Sequence, residues 1–403
     1  MTFTLAFALA LVPLAPSGGV PIHWGARTLE MDALPPELPT SARLALEGWH
    51  DWARAHDYRL DLDGEGRILL VCRRANDRAP KLLELAVRVI ERFDQELPAP
   101  AVRLAPKAPD LKLKEPEKQK PAGGAKPLPE DPENPEGDHP WKLPPPKPAP
   151  VSTTPTMTWT WGAAGQPIDS QTVVLFLAFD DQDFQSLLLE LAKRFTYLET
   201  WIHAAKALQG FVLGQPLAGA YMENPPGVEE WNPDNELVSR LARLCLLRRY
   251  GELPNWVAQG YAWHMEFALM GTAYVFPWRD EFVSVTEHSG WGKVVADRYA
   301  KKRLKPADFM GWHRGKYLEP EAKASWATCE YLLAKEKAKT PELLDRLRVF
   351  GEEHGRIQDD PSSWRRDVDY EIPATDQHQI FVQVLGDTYL ERATNFFRQE
   401  LAP

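Results

Sequence analysis

Asn235, Glu236 and Ser239 lie on one predicted helix and Gln259 lies on the next, in a spacing that could bring their side chains together. A hydrolase of the His-Glu-x-x-His kind places two imidazoles at i and i+4, so that both bind one zinc ion from one helical face. The glutamate at i+1 is the general base for the metal-bound water, and a third ligand comes from a second helix. Asn235 and Ser239 hold the i and i+4 positions, Glu236 the base position and Gln259 the third-ligand position.

The residue types at these positions do not suit the chemistry that their spacing allows. Asn, Ser and Gln side chains are neutral and are poor zinc ligands beside imidazole or carboxylate. We therefore expect no zinc and no other cofactor, and Glu236 would have no metal-bound water to activate. The alternative is a zinc-dependent peptidase or hydrolase with an altered metal site, in which Glu236 is still the general base.

Ordinary helix packing also explains this stretch of sequence. Asn232-Pro233 offers an N-cap followed by proline at the first helical position, and Glu236 then falls in the first turn, where negative charge is favoured. The predicted core-facing stripe of this helix is Leu237, Leu241, Leu244 and Cys245.

Several flanking segments carry a family resemblance. Leu253 to Gly260 reads Leu-Pro-Asn-Trp-Val-Ala-Gln-Gly, where a related peptidase would read Leu-Pro-x-Trp-x-x-Glu-Gly. The other matching segments are Gly219-Ala220-Tyr221 before the site helix, Ala324 to Leu333 with its Ser-Trp pair, and Gln379 to Gly386. In order and spacing they resemble the peptidase MA-like (gluzincin) family of domains of unknown function, in a degenerate form. The resemblance runs from Thr172 to Leu401 and can include Ile68 to Leu97.

This resemblance implies an α+β fold, with a mostly helical, thermolysin-like domain of the catalytic type. It also implies a catalytically inactive protein whose former substrate cleft persists as a groove for a peptide or protein ligand. The expected groove residues are Tyr221, Trp256, Gly260 and Trp263. A scaffolding protein, with its proline-rich segment as a tether, is the rival interpretation.

The chain divides into four segments by composition. Residues 1–17 are apolar and of signal-peptide length, which predicts export to the periplasm or the extracellular space. Residues 25–98 predict a small α/β unit, with a hairpin at Asp63 to Gly66. Residues 99–157 are rich in Pro, Lys and Glu and predict a disordered linker. Residues 158–403 form the peptidase-like segment, with predicted helices that include 184–208, 233–250, 254–270 and 379–399.

Charge and composition exclude other classes of partner. The formal net charge is −10 and the pI about 5.6, so there is no basic surface for nucleic acid. No apolar stretch is long enough for a transmembrane helix.

His264 and Glu266 are the titratable residues next to the site, but their spacing on the helix does not direct both toward one ion.

Overall fold

The computed structural model describes residues 20–106, 170–227, 231–276, 288–312, 318–360, 363–367 and 370–401. The predicted signal peptide and residues 107–157 of the predicted linker lie outside the described residues. The fold within these ranges is mixed, with a seven-stranded sheet and a larger helical part.

The main sheet combines parallel and antiparallel strands. Its strands are β1 (Ile22–Trp24), β2 (Arg27–Leu29), β3 (Tyr58–Leu62), β4 (Ile68–Arg73), β5 (Val173–Ala178), β6 (Gly210–Leu213) and β7 (Ala218–Met222). Their order across the sheet is β2-β1-β3-β4-β5-β7-β6. β4, β5 and β7 run parallel to one another, and β6 is antiparallel to β7 at one edge. A separate hairpin consists of β8 (Arg356–Asp360) and β9 (Ser363–Arg366).

Eleven α-helices occur in the described ranges. They are α1 (Thr40–Ala55), α2 (Ala79–Glu96), α3 (Asp181–Arg194), α4 (Glu199–Ala205), α5 (Pro233–Tyr250), α6 (Asn255–Met270), α7 (Trp291–Tyr299), α8 (Glu319–Lys335), α9 (Thr340–His354), α10 (Ala374–Leu385) and α11 (Tyr389–Gln399). None of the helices in these ranges is both long and apolar enough to cross a membrane.

Strands from both sides of the proline-rich segment share the main sheet. Ile68 to Val71 of β4 pair in parallel with Val173 to Phe176 of β5, and α2 lies between these strands in sequence. The predicted hairpin at Asp63 to Gly66 is confirmed, because β3 and β4 pair antiparallel on either side of it. The parallel pairing places residues 58–97 in the same sheet-based core as the later helices.

Two predicted helices are each divided in the structure. The predicted helix 184–208 is α3 and α4, separated at Phe195, whose φ of −126° and ψ of 81° end α3. The predicted helix 379–399 is α10 and α11, separated at Gly386, whose φ of +89° suits glycine. Apolar periodicity continues across both breaks, so it could not reveal them.

The sheet has a hydrophobic core on each face. α1, α3 and α4 cover one face, where Trp49, Trp52 and Phe176 pack together. The other face is covered by α2 and α5, and α5 packs in turn against α6. α5 is therefore buried between the sheet and α6, which positions the residues singled out in the sequence.

Candidate functional site

The start of α5 is defined by its cap. The side chain of Asn232 accepts hydrogen bonds from the backbone N–H groups of Asp234 and Asn235, and Pro233 is the first helical residue, as predicted. The predicted core stripe of α5 is buried, and Asn235, Glu236 and Ser239 are also each no more than 2% exposed. The polar side chains at the head of this helix therefore depend on protein groups for their hydrogen bonds.

Asn235 contacts the second helix through its amide. Its Nδ2 donates to Oε2 of Glu266 at 2.8 Å and to the backbone carbonyl of Thr272 at 2.7 Å. The amide thus joins α5 to the carboxyl-terminal end of α6. A residue at the first ligand position of a zinc site is used here as a hydrogen-bond donor between two helices.

Glu266 is the buried carboxyl group at this contact. It has no exposed surface, and its Oε2 also accepts from the backbone N–H groups of Tyr274 at 2.7 Å and Val275 at 3.2 Å. Burial raises the pKa of Glu266 to about 8, and the charge of Glu236 acts in the same direction, against the lowering effect of these hydrogen bonds. No Lys, Arg or His of the described residues forms an ion pair with Glu266.

Glu236 is held by a cation from its own helix. Arg240, one turn further along α5, lies with Nε 3.1 Å and Nη2 2.9 Å from Oε2 of Glu236. Both side chains are shielded, with 2% of Glu236 and 11% of Arg240 exposed. The residue at the general-base position is therefore engaged with a guanidinium group.

Ser239 and Gln259 complete the set of positions predicted from the sequence. Ser239 is 1% exposed, and its Oγ finds no hydrogen-bond partner among the described residues. Gln259 is 4% exposed and borders a cleft on the surface of the helix pair. α5 and α6 pack against each other, so the structure brings the four positions to one helix pair.

That cleft, here called the β6 cleft, has a volume of about 300 Å³. It runs between the edge strand β6 and the α5–α6 pair. Its lining includes Gly210, Phe211 and Val212 of β6, Arg240 and Arg243 of α5, Ala258 and Gln259 of α6, and Phe276. Arg240, which holds Glu236, therefore also lines the cleft.

The backbone of β6 presents hydrogen-bonding groups at this edge. The backbone N–H of Met222 donates to the carbonyl of Gln209, which identifies these two residues as a hydrogen-bonded pair. Bonded and non-bonded pairs alternate in an antiparallel ladder. Gly210 and Val212, paired in register with Tyr221 and Gly219, therefore direct their N–H and C=O groups away from β7.

A second, smaller cleft of about 130 Å³ continues the first. The two share Asn255, the first residue of α6, and Glu252 and Leu253 just before it, and the second extends toward Trp312 and Tyr370. The β6 cleft and this extension form one groove across the amino-terminal end of α6.

The groove residues expected from the sequence lie elsewhere. Tyr221, Trp256, Gly260 and Trp263 are all buried, and none of them lines either cleft. Trp256 donates from Nε1 to Oε1 of Gln377, and Trp263 donates from Nε1 to the carbonyl of Val275. Large aromatic side chains on α6 pack into the core here, so the wall of the groove comes from β6 and from the arginines of α5.

Gly260 has a packing role. A Cβ atom at this position would lie 2.7 Å from the carbonyl oxygen of Ser325 and 2.9 Å from Sγ of Cys329. The absence of a side chain allows α6 and α8 to approach closely. The Gly in the sequence motif therefore supports the packing of α8 on α6, the helix that carries Gln259.

His264 points away from the site and toward two carboxyl groups. Its Nδ1 lies 2.8 Å from Glu330 of α8, and its Nε2 lies 3.0 Å from Glu96 of α2. Burial acts to lower the pKa of His264, but the hydrogen bonds and charges of Glu330 and Glu96 outweigh it and raise this pKa to about 9. His264 and Glu266 thus have separate partners, as their spacing predicted.

The side chains present do not fit a zinc ion. Zinc in proteins is bound by thiolate, imidazole or carboxylate, whereas the three positions predicted from the spacing carry two amides and a hydroxyl. In the ranges that the structure describes, no group of three or more His, Cys, Asp or Glu residues could hold a metal. Zinc chemistry therefore has no ligand set at these positions.

Three features of the site were not identified as parts of it from the sequence. Arg240 follows Glu236 by one helical turn, a spacing that favours ion pairs and could have indicated this one. The spacing predicts Glu266 next to the site, but its contact with Asn235 depends on how α5 and α6 pack. β6 has no local signal beyond four mostly apolar residues.

A scan against protein-family models finds no match to this chain, and a search of curated proteins finds none either.

Proposed function

We propose that this protein is a non-catalytic relative of gluzincin peptidases that binds an extended peptide segment in the β6 cleft without cleaving it. The observation that carries the proposal is the use of Arg240, which both engages Glu236 and lines the cleft. A general base must be free to accept a proton from the attacking water. Glu236 is instead bound to a guanidinium group, beside a cleft that remains open.

The edge strand supports a peptide as the ligand. An extended peptide can add to a sheet edge through main-chain hydrogen bonds, with side-chain pockets providing specificity. Gly210 and Val212 supply outward-directed backbone groups, and both line the cleft. The extension past Asn255 toward Trp312 gives the bound segment room beyond the strand itself.

A proline substitution tests the proposed pairing. Val212→Pro removes one outward N–H without removing a ladder hydrogen bond to β7, which is the arrangement in which edge strands tolerate proline. Val212→Ala is the matched control, because it shortens the side chain and keeps the N–H. The probe is a phage-displayed library of random linear peptides, selected on the wild type and then measured against each variant.

We expect the wild type and Val212→Ala to bind the selected peptides and Val212→Pro to lose about tenfold in affinity, the effect of roughly one net hydrogen bond. Mass spectrometry should find the bound peptides intact. Equal affinity for the proline variant, with its thermal stability unchanged, would refute β6 pairing. Cleavage that needs added zinc and is abolished by Glu236→Gln would instead favour the altered hydrolase.

A further inference from the structure

Glu266 is a buried carboxyl group without a cationic partner among the described residues. It is fully buried, its Oε2 accepts three hydrogen bonds, and its Oε1 has no partner among the described residues. A buried carboxylate without compensation is costly, and proteins pair it with a cation, let it coordinate a metal ion or leave it protonated. No cationic side chain in the described ranges pairs with Glu266, so one of the other two solutions applies.

Two further buried oxygen atoms, both on α5, also lack hydrogen-bond partners among the described residues. They are Oδ1 of Asn235 and Oγ of Ser239, and each belongs to a side chain no more than 1% exposed. Residues at i and i+4 lie on the same face of a helix, and Asn235 is in direct contact with Glu266 through its Nδ2. The amide of Asn235 and the carboxyl group of Glu266 thus belong to one buried contact between α5 and α6, and the hydroxyl oxygen of Ser239 lies one helical turn further along the same face of α5.

We propose that Glu266, Asn235 and Ser239 bind a monovalent metal cation, sodium or potassium, through Oε1, Oδ1 and Oγ. An all-oxygen set suits hard cations and is poor for zinc. The charge also favours a monovalent ion, because Glu266 is a single carboxylate and the neighbouring Glu236 is already paired with Arg240. The ion would neutralise Glu266 and supply the three oxygen atoms with a partner.

This site goes beyond the proposed peptide binding and does not depend on it. It lies inside the α5–α6 pair, whereas the peptide would lie outside, along β6. Sodium or potassium here would hold the two helices together through their side chains. Its expected effect is on stability, so it can be tested without a peptide.

The test is thermal unfolding of the full chain at constant ionic strength in sodium, potassium or tetramethylammonium chloride. Tetramethylammonium is too large to enter a buried oxygen site. We expect the wild type to melt about 2–4 °C higher in sodium or potassium at about 100 mM, as for a ligand that binds only the folded state. Sodium NMR should show line broadening that excess potassium reverses.

Two variants and a control test whether the difference in melting temperature between the salts comes from this site. Glu266→Gln keeps the size of the side chain but removes the charge, and Ser239→Ala removes one oxygen; both should reduce the difference between the salts. Glu342→Gln, at an exposed position on α9, should keep it. The proposal is overturned if the wild type melts equally in all three salts, or if Glu266→Gln retains the full difference. Equal melting would leave a proton on Glu266 as the explanation.

Discussion

The guanidinium group of Arg240 holds Oε2 of Glu236 at 3.1 Å from Nε and 2.9 Å from Nη2. In a zinc hydrolase with this spacing, the metal ion supplies positive charge beside the glutamate and leaves it free to take a proton. In this chain the positive charge comes from the same helix, one turn away. Arg240 thereby stabilises the carboxylate of Glu236, and the same ion pair keeps this carboxylate from accepting a proton as a general base would.

We expect Arg240→Gln to destabilise the fold, because it leaves the charge of a buried carboxylate less well compensated. The expected loss in the free energy of unfolding is about 3–5 kcal/mol, the range for removing one partner of a buried ion pair. Urea unfolding at neutral pH measures it. The double variant Arg240→Gln/Glu236→Gln should recover part of the loss, and strict additivity of the two changes would show that the pair is not coupled.

His264 should make stability depend on pH. Its folded-state pKa of about 9 lies above the unfolded value of about 6.5, so its stabilising contribution is complete below pH 6.5 and is lost as the pH rises toward 9. The loss over that window should be about 3 kcal/mol. Urea unfolding between these pH values measures it.

His264→Gln should reduce this pH dependence, since glutamine cannot carry the charge that Glu96 and Glu330 stabilise; the raised pKa of Glu266 leaves a smaller slope below about pH 8. His203→Gln is the matched control, because His203 is exposed on α4. A wild type whose stability is constant from pH 6.5 to 9 would contradict the described ion cluster.

Gly260→Ala should destabilise the packing of α6 on α8. The added Cβ would meet backbone and sulfur atoms at less than 3 Å, and we expect a cost of about 1–3 kcal/mol. Gly48→Ala in α1 is the matched control, because a Cβ there meets nothing within 4 Å. The control should be neutral or stabilising by up to about 1 kcal/mol, owing to the higher helix propensity of alanine. A similar change in Tm for the two variants would contradict the described α6–α8 contact.

Cleavage of the chain within the proline-rich segment should not separate the two fragments. β4 pairs with β5, Arg249 pairs with Asp94 at 2.7 Å, and the backbone N–H of Leu104 donates to Asp345 at 2.6 Å. A specific protease site introduced at Gly123-Gly124 allows a clean cut. We expect the fragments to co-elute on gel filtration without denaturant and to separate in urea. Separation in native buffer would show that residues 20–106 fold apart from the rest.

Local signals in the sequence predicted the helices that carry the site. Asn232-Pro233 marks the start of α5, and the bounds predicted for it, 233–250, are those of the structure. α6 begins one residue later than predicted, at Asn255. Capping and proline effects act within a few residues, so a sequence pattern can locate them.

The groove could not be predicted in the same way. β6 forms by pairing with β7, a contact set by tertiary structure, and the aromatic residues of α6 gave no sign of which face the core would cover. The sequence therefore predicts Trp256 and Trp263 as groove residues, whereas both side chains are buried in the core and line neither cleft. The contact of Asn235 with Glu266 likewise depends on the packing of α5 and α6, which no local pattern encodes.

The zinc content of the purified protein, measured by elemental analysis after mild zinc loading, tests most directly whether these helices form a gluzincin site without its ligands. Asn235→His/Ser239→His/Gln259→Glu is measured beside the wild type. The account predicts zinc-free wild type and about one zinc per chain in the triple variant, because the spacing would then present two imidazoles and a carboxylate to one ion. Stoichiometric zinc in the wild type, or a folded triple variant that binds none, would contradict it.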